Sequence, residues 1–253
     1  MLNKKQSRVR RTLRYEWENF LLRRGLVRRK PREADGTLSL TGHETLVLTW
    51  PERIPALQGK ETLVVTGASR GGTSFIAYAL LAAGYPLARS AKGALTHEDS
   101  EISHAFGDSK AFRRLIAERN AAAAQWGFKL PDAVYAWTWL AAELRDPIFV
   151  IAFRNPLAIA RSKLSRGPFF AHTHEGFAKA LHNGLDMLDA GAEIARAGVP
   201  AILVDVDRAQ AQPTLFLREL FGVLGHRIDT ETLDEIAKAL GSSGYKMLPK
   251  KDG

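Results

Sequence analysis

Short apolar segments alternate with longer amphipathic ones along most of this chain. The apolar runs Thr62–Thr66, Ile148–Phe153 and Ala201–Val206 are almost uninterrupted, and glycine, proline or charged residues bound each of them. Runs of this length and composition are typical of strands that are buried on both faces of a parallel sheet. A further pair of short strands, arranged like a hairpin around Gly42, is predicted within Leu38–Trp50.

Between the apolar runs, hydrophobic residues recur at helical spacing, and glycine or proline often marks the ends. These segments predict helices at Glu98–Phe106, Ser109–Trp126, Asp132–Leu144, Asn155–Leu164, Glu175–Ala197, Pro213–Leu224 and Thr230–Leu240. Strands that alternate with helices favour an α/β fold, in which a parallel β-sheet is flanked by helices.

Charge divides the chain into two predicted regions. Residues 1–33 hold 12 Lys and Arg against 3 Asp and Glu, which accounts for the whole formal net charge of +9. We therefore predict a basic arm with its linker at residues 1–36. The rest of the 253 residues, 37–253, is long enough for a single α/β domain with a sizeable core.

The arm has the pattern of a basic amphipathic helix over Arg8–Arg24. Leu13, Trp17, Phe20 and Leu21 recur at helical spacing among its charges. Such a helix could pack on the core with a solvated outer face, or residues 1–33 could contact an anionic membrane or a polyanionic acceptor. Nucleic acid is the least favoured partner, because no recognised nucleic-acid fold accompanies the basic arm.

Composition excludes several other kinds of protein. The chain has no cysteine, so disulfides and cysteine-ligated metals are excluded. Its apolar runs are too short to span a bilayer, and its first residues lack the apolar region of a signal peptide. We expect a cytoplasmic protein, which could also associate peripherally with the inner face of the membrane. His172 and His174 alone are too weak a signal to predict a metal site.

The segment Glu61–Leu81 predicts an anion-binding loop. An apolar strand leads into the glycine-rich turn Gly67–Gly72, and a helix opens at Thr73 and Ser74. Small residues let the backbone turn its N–H groups inward, and the helix N-terminus adds partial positive charge. Arg70 lies inside this loop and adds a full charge.

Two common loop types fit the segment poorly. A Walker A loop needs lysine where Thr73 stands, although Gly67, Gly72 and Ser74 have the right spacing. The start Thr66–Gly71 matches short-chain dehydrogenases, but Thr73 replaces their next glycine. None of the tyrosines is followed four residues later by lysine, so their catalytic pair is absent.

A second motif lies about 80 residues further on. The apolar strand at Ile148–Phe153 is followed by Arg154, Asn155 and Pro156, and then by a predicted helix that carries Ser162. An arginine at a strand end can form a forked contact with a phosphate, and proline suits the first turn of a helix. The alternative is that Arg154 and Ser162 only cap and solvate a surface helix.

Together the two motifs resemble those of sulfotransferases that depend on 3′-phosphoadenosine 5′-phosphosulfate (PAPS), and in particular bacterial carbohydrate-type members. The segment from Gly67 to Ser74 is similar to their 5′-phosphosulfate loop, G-x-x-[KR]-x-G-T-[ST], and Arg154 with Ser162 keeps the spacing of their 3′-phosphate motif. The resemblance covers about residues 61–225 and implies a fold like that of P-loop nucleotidases. It implies that PAPS is the co-substrate and that its binding residues are Gly67, Ser69, Arg70, Gly71, Gly72, Thr73, Ser74, Arg154 and Ser162.

The resemblance also implies catalytic roles for Arg70, for Lys129 in a segment similar to G-F-K-x-P, and for either Glu98 or His97 as the base. A carboxylate or an imidazole can accept the proton of a hydroxyl. The alternatives are that Glu98 only favours the first turn of a helix and that Lys129 is a surface lysine. Asp205 stands near the position where relatives often have tyrosine and glutamate, which weakens the assignment to a subfamily.

The implied reaction is transfer of a sulfuryl group to an acceptor hydroxyl of a glycan or glycolipid, without a metal. Two other functions stay open from the sequence. One is a noncatalytic scaffold that binds a nucleotide or another anion, and the other is an atypical P-loop enzyme related to kinases.

Overall fold

The computed structural model describes residues 42–88, 97–131, 133–165 and 173–242. The predicted arm and linker at residues 1–36, residues 38–41 of the predicted hairpin, and His172 lie outside the described residues. The division into an arm and a domain at residues 37–253 stays a prediction. None of the helices that the structure describes combines the length and the hydrophobicity that a membrane span requires.

In the part of the chain that the structure describes, a six-stranded sheet forms the centre of the fold. Its strands are β1 (Leu46–Thr49), β2 (Thr62–Gly67), β3 (Leu87–Ala88), β4 (Trp126–Lys129), β5 (Pro147–Phe153) and β6 (Ala201–Asp205). They lie in the order β1-β6-β5-β2-β4-β3, and every neighbouring pair is parallel except β1 with β6. The predicted α/β fold is confirmed. The described half of the predicted hairpin is β1, which pairs with β6.

Helices connect the strands and also follow the last strand. They are α1 (Ile54–Leu57), α2 (Thr73–Ala82), α3 (Ser100–Ala105), α4 (Ser109–Ala122), α5 (Trp137–Glu143), α6 (Pro156–Leu164), α7 (His174–Arg196), α8 (Val206–Ala211), α9 (Pro213–Leu224) and α10 (Thr230–Gly241). Short 3₁₀ helices lie at Pro51–Arg53 and Ala133–Ala136. The helix predicted at Ser109–Trp126 ends too late in that prediction, because α4 ends at Ala122. Trp126 is the first residue of β4 and pairs with Thr62 of β2.

Both faces of the sheet are covered, which explains the continuous apolar runs in the sequence. On one face, Leu63 and Val65 of β2 pack in a buried cluster with Phe75 of α2 and Phe216 of α9. Val64, the residue between them, belongs to the cluster on the other face. The alternation of strand side chains therefore supplies two cores from one run of residues.

The connections bring three strand ends to one edge of the sheet. β2 lies between β4 and β5, and Val65 pairs with Lys129 while Gly67 pairs with Ala152. After β2 the chain forms β3 and β4 on one side and then β5 and β6 on the other. In open α/β sheets, ligands bind beyond the carboxyl ends of the strands where the strand order reverses in this way.

Candidate active site

The loop between β2 and α2 has a backbone that requires its glycines. Gly67 and Gly72 have φ angles of 144° and 101°, which side chains rarely tolerate. A Cβ at Gly67 would lie 2.8 Å from the carbonyl oxygen of Ala152, and one at Gly72 would lie 2.5 Å from Cγ1 of Val206. The loop is thus pressed against β5 and α8, and only glycine fits at these two positions.

The middle of the loop is a tight turn closed by a 2.8 Å hydrogen bond from the Gly71 amide to the carbonyl of Ala68. Ser69 is half-buried beside the turn, and Thr73 is buried at the start of α2. Arg70 is exposed and has a φ of 72°, an unusual value for a residue with a side chain. Backbone strain of this kind is often found at ligand-binding sites.

The second motif follows β5 as the sequence predicts. The side chain of Asn155 caps α6 by accepting a 2.9 Å hydrogen bond from the Leu157 amide, and Pro156 occupies the first turn. Arg154 therefore lies between the end of a buried strand and the start of a capped helix. Its side chain is about one-quarter exposed, at 27%.

The two motifs meet at Arg70. Its Nε lies 3.4 Å from Oγ of Ser162, and its carbonyl oxygen lies 3.4 Å from a terminal guanidinium nitrogen of Arg154. These pairs are separated by 92 and 84 residues in the sequence. Two motifs that lie far apart in the sequence thus form one cationic surface at the carboxyl edge of the sheet.

Lys129 lies at the end of β4, next to the same loop. Its side chain is only 2% exposed, and its Nζ lies 3.0 Å from Oε1 of Glu98 and 3.3 Å from Oγ of Ser74. Ser74 belongs to the first turn of α2. Lys129 is therefore no surface lysine, because it connects the start of α2 to the candidate base.

Glu98 and His97 have very different environments. His97 is fully buried, has a φ of 54°, and its ring centroid lies 6.1 Å from that of Tyr78. Burial and the nearby charge of Glu235 raise the pKa of the Tyr78 hydroxyl above its usual range. The Glu98 side chain is 34% exposed, so it is accessible from solvent, whereas His97 is not.

Solved structures that match this chain at low sequence identity include two sulfotransferases and a retinol dehydratase. The sulfotransferase STF1 of Mycobacterium tuberculosis matches with 16% sequence identity and a TM-score of 0.45, over 78% of this chain and 76% of that chain. For STF9 of Mycobacterium avium the identity is 15% and the TM-score 0.47, over 76% and 70% of the two chains. A retinol dehydratase in complex with retinol and PAP has 10% identity and a TM-score of 0.38, over 73% and 65%. No protein-family model and no curated protein matches the sequence.

Sequence reasoning missed the part that Asp207 has in the site. Its Oδ1 lies 3.4 Å from Nε of Arg154, and its Oδ2 accepts a 2.9 Å hydrogen bond from the Asn155 amide. Asp207 lies just beyond β6, the neighbour of β5, so its position after a strand end was the signal that could have identified it. The carboxylate holds the first two residues of the second motif in place.

The loop also makes a contact that no sequence signal indicates. The Ala68 amide lies 3.0 Å from Sδ of Met187, which is buried on α7. Methionine sulfur is a weak acceptor, so this contact fixes the loop mainly through packing. Among the residues that the structure describes, no group of three or more His, Asp or Glu could hold a metal ion.

Proposed function

We propose that this protein is a PAPS-dependent sulfotransferase that transfers a sulfuryl group to an acceptor hydroxyl. The observation that carries the proposal is the meeting of Arg70 with Ser162 and Arg154. A donor with phosphate groups at both its 5′ and 3′ positions needs two anion sites at a fixed separation. Two motifs that resemble those sites and lie side by side meet that need.

In this proposal the loop binds the 5′-phosphosulfate through its backbone amides and the side chains of Ser69, Arg70, Thr73 and Ser74. Gly67, Gly71 and Gly72 allow the backbone to approach the anion closely. Arg154 and Ser162 bind the 3′-phosphate, and Asp207 orients Arg154 by holding its Nε. Binding the donor at both ends fixes the sulfur relative to the acceptor.

The proposed base is Glu98, because its carboxylate is partly exposed and touches Lys129. Glu98 accepts the proton of the acceptor hydroxyl as the acceptor oxygen bonds to sulfur. The bond from sulfur to the bridging oxygen breaks on the opposite side, and adenosine 3′,5′-bisphosphate leaves with the electron pair. Lys129 and Arg70 stabilise the negative charge that develops on the bridging oxygen and the sulfuryl group.

The acceptor that we propose is a hydroxyl of a glycan or glycolipid, which the resemblance to carbohydrate-type members supports. The basic arm of residues 1–33 would then bring the site to an acceptor at an anionic surface, at the inner face of the membrane. A kinase-like reaction is less well supported, since Thr73 stands where a P-loop nucleotidase has its lysine.

The proposal is tested with radiolabelled PAPS and a panel of glycans, glycolipids and simple phenols. The wild type should label at least one acceptor and release adenosine 3′,5′-bisphosphate in equal amount, while Arg70→Ala should do so far more slowly. The same panel with γ-labelled ATP and magnesium is the control. Phosphoryl transfer from ATP without sulfuryl transfer from PAPS would overturn the proposal in favour of the kinase-like function.

A further inference from the structure

Arg119 is a partly buried cation that lies outside the donor site. It lies on α4, and its side chain is 18% exposed. One terminal nitrogen makes an ion pair with Asp99, whose side chain is 3% exposed, and the other lies 2.8 Å from Oε2 of Glu101. Asp99 is the residue after Glu98, so Arg119 contacts the segment that carries the proposed base.

Arg119 also contacts the strand that carries Lys129. Its guanidinium carbon lies 5.3 Å from the ring centroid of Trp126, the first residue of β4. The indole nitrogen of Trp126 donates a 3.0 Å hydrogen bond to Asn120, the residue after Arg119 on α4. The start of β4 is therefore held to α4 by two contacts, and Lys129 is the last residue of the same short strand.

Asp99 transmits the position of Arg119 to the backbone beside Glu98. Its Oδ1 caps α3 by accepting hydrogen bonds from the amides of Glu101 and Ile102, at 2.9 and 3.1 Å. On the other side of Glu98, His97 is buried with a left-handed φ of 54°. Glu98 thus lies between an unusual backbone turn and a capped, ion-paired aspartate, and both restrict where its carboxylate can go.

We propose that Arg119 is a positioning residue that holds Glu98 opposite Lys129. One rigid, planar guanidinium joins the segment of Glu98 to the strand of Lys129, so the 3.0 Å contact between the two side chains depends on it. Without Arg119, the buried Asp99 carboxylate would lose its cation, and the helix cap beside Glu98 would lose its support.

The charge of this contact does not change with pH in the physiological range. Burial by itself would lower the pKa of the Arg119 guanidinium, but the hydrogen bonds and charges of Asp99 and Glu101 outweigh burial and raise it. Arg119 therefore stays protonated while Glu98 gains and loses its proton during turnover.

The geometric part of the inference is tested without any assay of function. Competitive acylation with isotopically labelled acetic anhydride, read by mass spectrometry, measures the reactivity of each lysine. Arg119→Met should raise the reactivity of Lys129 about 5- to 30-fold, because the loss of one charged contact frees its amine from Glu98. Lys163, a second buried lysine on α6, should not change and serves as the internal control.

Two further variants distinguish the loss of this contact from a general loss of stability. Arg113 is exposed, lies on α4 like Arg119 and forms an ion pair with Glu143 of α5, so Arg113→Met should leave the reactivity of Lys129 unchanged. Asp99→Asn keeps the acceptor that caps α3 but removes the charge, and it should have the same effect as Arg119→Met. The inference would be overturned if Arg119→Met left the reactivity of Lys129 unchanged, or if it raised the reactivity of Lys163 equally.

The kinetic part rests on the proposed function. Once an acceptor is identified, Arg119→Met should lower turnover about 10- to 100-fold while the affinity for adenosine 3′,5′-bisphosphate stays constant. Arg119→Lys should recover part of the rate. Equal losses in turnover and in affinity for this product would contradict a positioning role. A wild type that transfers no sulfuryl group would refute the proposed function, whereas the acylation ratios still decide the role of Arg119.

Discussion

Replacing Arg154 with alanine should remove the cation that we assign to the 3′-phosphate and leave the rest of the site in place. Arg154 is about one-quarter exposed, and its two contacts within the site, to Asp207 and to the carbonyl of Arg70, are both long at 3.4 Å. Neither contact is strong enough for the fold to depend on it. We therefore expect little change in thermal stability.

The expected loss falls on ligand binding. A guanidinium keeps donors available for a forked, charge-assisted contact, and such a contact contributes about 2–4 kcal/mol, or about 30- to 900-fold in Kd. The loss should also leave the carboxylate of Asp207, which is 46% exposed, facing the phosphate without a neighbouring cation. Asp207→Asn is the matched control, because it removes the negative charge beside the phosphate but keeps an oxygen that can accept the hydrogen bond from Arg154, so it should not weaken binding.

Calorimetric titration with adenosine 3′,5′-bisphosphate and with 5′-AMP separates the two phosphate sites. Arg154→Ala should weaken the binding of adenosine 3′,5′-bisphosphate by the amount given above. It should change the Kd of 5′-AMP by less than about threefold, because 5′-AMP has no 3′-phosphate for Arg154 to bind. If the affinities for both ligands fell equally, Arg154 would act on the loop. If neither affinity changed, Arg154 would lie outside the site.

The other predictions concern the chemical step. Arg70→Ala should lower turnover about 10²- to 10³-fold with Arg70→Lys intermediate, and normal turnover at saturating donor would make the loop a passive binding surface. Glu98→Gln should lower turnover about 10²- to 10⁴-fold at nearly constant donor affinity, with His97→Ala milder; the reverse order in the same rate assay would assign the base to His97. Lys129→Met should lower turnover about 10²- to 10³-fold but change the free energy of unfolding, measured by urea denaturation, by less than about 1 kcal/mol, because the partly exposed Glu98 can be solvated. A larger loss of stability with normal turnover would give Lys129 a structural role.

Local sequence signals placed most of the elements. The helix at Pro213–Leu224 has the predicted bounds, because proline occupies its first turn and Gly225, at a φ of 63°, ends it. The strand β5 begins one residue before its prediction. These ends depend on the backbone properties of single residues, and such properties can be read from the sequence.

Elements fixed by tertiary contacts were harder to predict. The run of alanines before Gln125 favours helix, yet α4 ends at Ala122 because Trp126 pairs with β2 and stacks under Arg119. The short helix α8 was missed although Asp205 caps it by accepting a hydrogen bond from the Arg208 amide, which is an ordinary start signal. No signal in the sequence links Arg119 to Asp99, since their contact depends on how α3 and α4 pack.

For the candidate site, the two motifs and their order could be predicted from the sequence, but the distance between them could not. That distance depends on the register of β2 with β5 and on the turn at Gly67–Gly72, which brings Arg70 back to Ser162. The contact between Lys129 and Glu98 depends in the same way on β4 lying beside β2. The order of the strands in the sheet therefore determines these distances, which cannot be derived from the spacing of the motifs in the sequence.

A crystal structure of the protein with adenosine 3′,5′-bisphosphate would show directly whether both motifs form one donor site. We expect the 5′-phosphate in the loop Gly67–Gly72, at hydrogen-bond distance from its amides, and the 3′-phosphate on Arg154 and Ser162. A 3′-phosphate that touched neither residue, or a nucleotide bound away from the loop, would contradict this expectation.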